Sequence, residues 1–173
     1  WTLPSNVALC MHPDYEYVRV KMNGSGEEYI LAEGLLSAVL GAAEGVKDED
    51  GNVSGGYTVL SKKKGAEYEH TAYEPLYPFG KEVFKFREEA YYVVNDTYVT
   101  LTDGTGVVHI APAFGEDDYR VGRKYNLPVV QLIDEEGKFP AGCGFLTGLH
   151  AQAADEKVLA DLKETGRLLK SVE

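Results

Sequence analysis

The chain has 173 residues, 44% hydrophobic and 26% charged, which suits one globular domain with a sizeable core rather than a disordered tail. Its formal net charge is −11, which argues against a domain that grips a nucleic-acid backbone by itself, because such binding relies on Lys and Arg neutralising phosphates. No apolar run approaches the roughly 20 residues of a transmembrane helix. Two scattered cysteines, Cys10 and Cys143, are too few for a disulfide framework and point to a reducing compartment.

In chain order, Trp1 to Asn6 is a turn-rich opening and Val7 to Met11 a short apolar strand. Tyr15 to Met22 alternates apolar and polar residues, and Asn23-Gly24-Ser25-Gly26 turns it back into a strand over Tyr29 to Ala32. Leu35, Leu36, Val39, Leu40 and Ala43 recur at helical spacing, which predicts a helix over 34–44. Lys47 to Gly56 reads as a surface loop or small insertion and Tyr57 to Ser61 as a strand. Lys62-Lys63-Lys64, the only basic run, suits a solvated edge that discourages stray pairing. Residues 65–87 read as loop and short strand. Tyr91 to Val94 and Tyr98 to Leu101 read as a second hairpin around Asn95-Asp96-Thr97.

The stretch from Asp103 to Tyr119 organises the rest. Gly104 and Gly106 allow a tight turn, Val107 to Ala111 is a β-prone run, and Pro112 ends it because proline cannot donate to a sheet ladder. Gly115 to Asp118 opens a helix with acids in its first turn, where the helix dipole favours them. Alternation puts His109 on one face with Val107 and Ala111. Strand end, Pro corner and helix start make a pocket wall carrying His109 and Asp118, although on pattern alone these also read as a satisfied core histidine and a helix-start acid. The helix stops near Asn126, before Pro128. Beyond it come a β-prone run to Ile133, a turn at Asp134 to Gly137, an irregular Phe139 to Leu149, and a helix over Ala153 to Thr165. That helix has Val158, Leu159 and Leu162 inward and is capped by Gly166, with a last strand at Leu168 to Val172. The predicted class is α+β, mainly β: a β-barrel with a few surrounding helices.

No phosphate-binding Gly loop and no nucleophile elbow is present, and Cys10 with His12 lacks a second Cys/His pair for a metal. No covalent nucleophile announces itself. In a hydrolase built this way, water is the attacker and positioning dominates catalysis.

Gly104-Thr105-Gly106-Val107-Val108-His109-Ile110-Ala111-Pro112-Ala113-Phe114-Gly115-Glu116-Asp117-Asp118-Tyr119 closely resembles a signature of the isoleucyl-tRNA synthetase editing domain. Trp1 to Asn6 and Asp134 to Phe139 resemble other segments of that domain, and residues 44–66 are its least familiar part. The resemblance implies one editing domain over residues 1–173, excised from a larger synthetase in the cytoplasm. It implies an aminoacyl-ester hydrolase acting on valine misattached to tRNA for isoleucine, and on valyl-adenylate. The isoleucine-activating enzyme is itself the standing illustration of the need: a missing methylene gives only about 150-fold discrimination at a hydrophobic pocket, so a second sieve follows. By resemblance, Asp118 holds the substrate α-ammonium and His109 borders the side chain and helps exclude isoleucine. Thr2 stands at the entrance, and Ala111, Pro112, Phe114 and Gly115 supply the wall. The family's Thr-rich strip lies just before Trp1. No metal or cofactor is implied for this domain; ATP and Mg belong to the parent enzyme. The implied partners are the tRNA 3′ end, the adenylate and the rest of the synthetase, with weak nucleic-acid binding by the domain alone and no membrane. A non-catalytic module docking the tRNA 3′ end, or an editing domain of a related valyl or leucyl enzyme, are the competing readings.

Overall fold

The computed structural model describes residues 1–41 and 44–171. Among the described residues the strands are β1 (Ala8–Met11), β2 (Glu16–Met22), β3 (Glu28–Ala32), β4 (Val46–Lys47), β5 (Val53–Ser54), β6 (Tyr57–Lys64), β7 (Tyr92–Asn95) and β8 (Val107–Ile110). The α-helices among them are α1 (Leu36–Leu40), α2 (Phe79–Phe84), α3 (Glu116–Tyr125) and α4 (Ala151–Glu164). The sheets run β7-β1-β8, β3-β2-β6 and β4-β5. The class is mixed α and β. Among the described residues no sheet closes on itself, so the expected barrel is not among the features these strands establish. No helix among them is long and apolar enough to cross a membrane.

Two compact units are distinguished, and their boundaries fall inside β1, β7 and β8. One comprises Leu9–Thr71 and Val93–Val108. Here β2 pairs antiparallel with β3, Val20 opposite Tyr29, as the alternation predicts. Val18, Val20, Leu31, Leu36 and Tyr57 bury together, each large side chain contributing about 1.5–3 kcal/mol. A second cluster gathers Met11, Tyr17, Ala32, Leu35, Tyr68 and Val93. The Tyr17 hydroxyl, buried within it, accepts from the His12 N–H at 2.9 Å and donates to the Gly106 carbonyl at 2.5 Å. Burial pushes that phenol up to about 12. Gly106 has φ +78°, and a Cβ there would lie 2.5 Å from the Ala32 Cβ, so this turn admits only glycine.

Some expectations are extended in this unit and others fail, each for a local reason. The loop over 47–56 contains the small hairpin β4-β5, whose turn is held by Asp48 Oδ1 accepting from the Asp50 and Asn52 N–H groups. Tyr57 to Ser61 extends to Lys64, which places the three lysines on the edge strand β6. The predicted helix over 34–44 is a 3-10 turn followed by α1, closed by Gly41 at φ +59°; Ala43 lies outside the described residues. Tyr98 to Leu101 is not a strand: Asp96 Oδ1 accepts from Tyr98 N–H at 3.0 Å, an Asx turn, and β7 pairs with β1 instead.

The other unit comprises Trp1–Ala8, Ala72–Tyr92 and His109–Glu173. It holds α3, α4 and α2, the last a helix where loop and short strand are expected over 65–87. Gly166 closes α4 at φ +71°, and Val158 and Leu162 are buried as predicted, but Leu159 is 41% exposed. Residues 128–133 and 168–171 are irregular rather than strands, and Val172 lies outside the described residues. Leu132 N–H donates to the Ser5 hydroxyl at 3.3 Å, so its polar group is met by a side chain and not by a ladder.

Candidate functional site

Every predicted site residue falls in this second unit. Pro4 sits in the first turn of the 3-10 helix Leu3–Ser5, where its fixed φ fits. Ser5 N–H donates to the Thr2 carbonyl at 2.9 Å and Asn6 N–H to the Leu3 carbonyl at 3.1 Å. Val7 N–H then donates to the Ile110 carbonyl at 3.0 Å, which fastens this opening turn alongside the end of β8. Thr2 and Asn6 consequently meet one imidazole from its two ends. Thr2 Oγ1 is 3.3 Å from His109 Nε2, and Asn6 Nδ2 is 2.9 Å from His109 Nδ1.

The Asn6 amide sets the proton positions. Its NH2 group also donates to the Ala8 carbonyl at 2.8 Å, an oxygen that can only accept. The other amide proton faces Nδ1, so Nδ1 is an acceptor and the neutral ring carries its proton on Nε2, an assignment made from the bonding network. Burial lowers the His109 pKa; the nearby Asp118 carboxylate draws it up, and the amino group of Trp1 pushes it down.

Asp118 is placed by the corner. Phe114 N–H closes a turn onto the Ala111 carbonyl at 3.0 Å, and Tyr119 N–H begins α3 by donating to the Gly115 carbonyl at 2.8 Å. An acid at the third helical position often reaches back to the residue that begins its helix. Asp118 instead reaches seven residues back, its Oδ2 accepting from Ala111 N–H at 2.9 Å. Its Oδ1 lies against Gly115, where a Cβ would come within 2.8 Å. Gly115 is extended, so space and not backbone angle demands glycine there. Pro112 packs under α3 at Gly122, where a Cβ would meet the proline ring at 2.9 Å. The Phe114 ring meets Trp1 edge-on, with centroids 4.9 Å apart.

Thus Thr2 touches His109, and Ala111 joins Asp118 to the strand that carries His109. Pro112, Phe114 and Gly115 form the corner between them. Two residues of this network escaped the sequence reading. Asn6 looked like an ordinary turn residue. Tyr73, whose hydroxyl donates to Asn6 Oδ1, lay in a stretch read as surface loop.

No family model matches the chain. Among solved structures, the CP1 domain of a leucyl-tRNA synthetase, GlLeuRS, is similar with a TM-score of 0.67 and 14% identity, covering 99% of this chain and 80% of that one. The P. knowlesi cytosolic leucyl-tRNA synthetase editing domain gives a TM-score of 0.51 at 17% identity, covering 94% and 67%. At such identities the likeness concerns the fold, and the fold is that of a synthetase editing domain. Sequence narrows it. The isoleucine–tRNA ligase of Clostridium novyi is 46% identical over 171 residues, 99% of this chain, and that of Pyrococcus abyssi 42% identical over 179, 100% of this chain. The chain belongs to the isoleucine–tRNA ligases as their editing domain, and spans about 15% of the length of these curated relatives.

Proposed function

We propose that residues 1–173 act as one editing domain, hydrolysing valine misattached to tRNA for isoleucine, and valyl-adenylate, in the cytoplasm and within a larger ligase. What supports this most is the placing of the Asp118 carboxylate and the neutral His109 imidazole around one strand end, with Thr2 on the imidazole. Asp118 binds the α-ammonium of the aminoacyl group through a charge-assisted hydrogen bond. His109 limits the space left for the side chain, and its Nε2–H is a donor rather than a base. Water attacks the ester carbonyl carbon; the bond to the ribose oxygen breaks, and that oxygen leaves with a proton. The neighbouring hydroxyl of the terminal ribose orients the water. ATP and Mg serve the parent ligase elsewhere.

The deciding experiment is deacylation of valyl-tRNA by a full-length ligase carrying this segment. Asp118→Ala loses about 100-fold or more, the scale that mispositioning of a reacting group commands. Asp118→Asn retains an oxygen for the Ala111 N–H but loses the charge, and is expected to be as poor. Near-normal deacylation by the Asn variant would remove the ammonium-binding role. Valyl-tRNA bound but never hydrolysed by the unsubstituted ligase would leave a docking module in its place.

A further inference from the structure

We infer that Tyr73 is a positioning residue of this site: its hydroxyl locks the Asn6 amide, and the locked amide holds His109 in the Nε2–H form. The hydrogen bond from the Tyr73 hydroxyl goes to Asn6, and Asn6 in turn bonds the imidazole.

The backbone explains why a tyrosine so distant in sequence is present. Tyr91 N–H donates to the Val7 carbonyl at 2.7 Å, and Tyr73 N–H donates to the Tyr91 carbonyl at 2.9 Å. This ladder brings Tyr73 beside the turn that ends in Asn6. The Tyr73 and Tyr91 rings pack edge-on with centroids 6.2 Å apart, which fixes the aromatic plane. Burial raises the Tyr73 pKa, so the phenol keeps its proton, and that proton faces Asn6 Oδ1, an atom that can only accept. All three polar positions of the Asn6 side chain are then occupied: one oxygen by Tyr73, one proton by Ala8, one proton by His109. Turning the amide over would set its oxygen against the Ala8 carbonyl, two acceptors face to face, while the Tyr73 hydroxyl holds the amide from its other side. The phenol therefore supplies the second of two anchors, and without it the amide rocks about the Ala8 bond. Protonating Nδ1 would put two donors face to face at 2.9 Å, so a firmly held amide opposes the imidazolium.

The charged and titratable groups around His109 are Asp118 from α3, the amino group of Trp1 and the Tyr73 phenol one residue removed. Replacing Tyr73 by Phe leaves the first two in place and preserves the aromatic packing on Tyr91. The inference deepens the editing reading, but its test involves no turnover.

The experiment is nitrogen-15 NMR of the histidine rings in the 173-residue chain as a function of pH. In the unsubstituted chain at pH 7.5, His109 Nδ1 is expected in the unprotonated range and Nε2 in the protonated range. In Tyr73→Phe the His109 midpoint is expected to rise by about half a pH unit, the size of one modest hydrogen bond. The His12, His70 and His150 resonances report that the variant is folded. A proton found on Nδ1 in the unsubstituted chain overturns the inference without needing the variant. So does a His109 titration unchanged in a folded Tyr73→Phe. A ligase that binds but never hydrolyses valyl-tRNA counts against the editing reading alone.

Discussion

His109 resists protonation because it is desolvated, and in the arrangement inferred above the Asn6 amide also faces Nδ1 with a donor. That resistance has a definite sign in stability. The folded pKa lies below the ordinary value near 6.5, so as pH falls through that value the unfolded chain takes the proton first. The contribution of neutral His109 is complete above about 6.5 and is lost as pH falls toward the depressed folded value. His109→Gln cannot take up the proton, and its urea-denaturation stability is expected to fall less between pH 7.5 and 5.5 than that of the parent chain. Equal falls would mean that His109 is no more reluctant to charge when folded. The same residue tests the sieve. His109→Ala removes a ring that borders the acyl pocket in the proposed reading, and isoleucyl-tRNA, normally spared, should then be deacylated by the full ligase. If it stays intact while valine hydrolysis continues, size exclusion resides elsewhere.

At the scale of the element, α3 is positioned by two glycines that leave room for other groups. Gly122→Ala sets two effects against each other. Alanine raises helix propensity by about 1 kcal/mol. Its Cβ, however, would stand 2.9 Å from a proline ring that cannot rotate away, and overpacking of that kind costs about 1–3 kcal/mol. The clash wins, so the variant is less stable by chemical denaturation, and a more stable one would show that α3 slides freely over Pro112. This strand, corner and helix were legible in sequence because Gly106, Pro112 and Gly115 each mark a backbone or steric requirement. The flanking elements were less so. Residues 128–133 have strand-like composition, yet they find the Ser5 hydroxyl instead of a partner strand. Tyr98 to Leu101 yields to an Asx turn. The roles of Asn6 and Tyr73 were not legible, because the partners that define them, His109 and Asn6, lie 103 and 67 residues away.

For the whole molecule the acidic balance sets the mode of association. A chain of net charge −11 repels phosphate at long range, so under the proposed function a tRNA acceptor end would be delivered by other parts of a larger ligase. Binding of a short acceptor-stem RNA to the isolated 173 residues, followed by fluorescence anisotropy, is expected to be negligible at physiological salt. Submicromolar binding would show that these residues recruit the RNA unaided. The unit bearing the site is assembled from three separated stretches of chain, and this has a consequence for its synthesis. Asn6 and Thr2 precede their shared imidazole by 103 and 107 residues. A ribosome adding about 5–20 residues per second leaves the opening turn waiting roughly 5–20 s before His109 is even made. During that wait the opening turn has no β8 to dock on, and in the proposed reading the editing site is complete only after most of the domain has emerged.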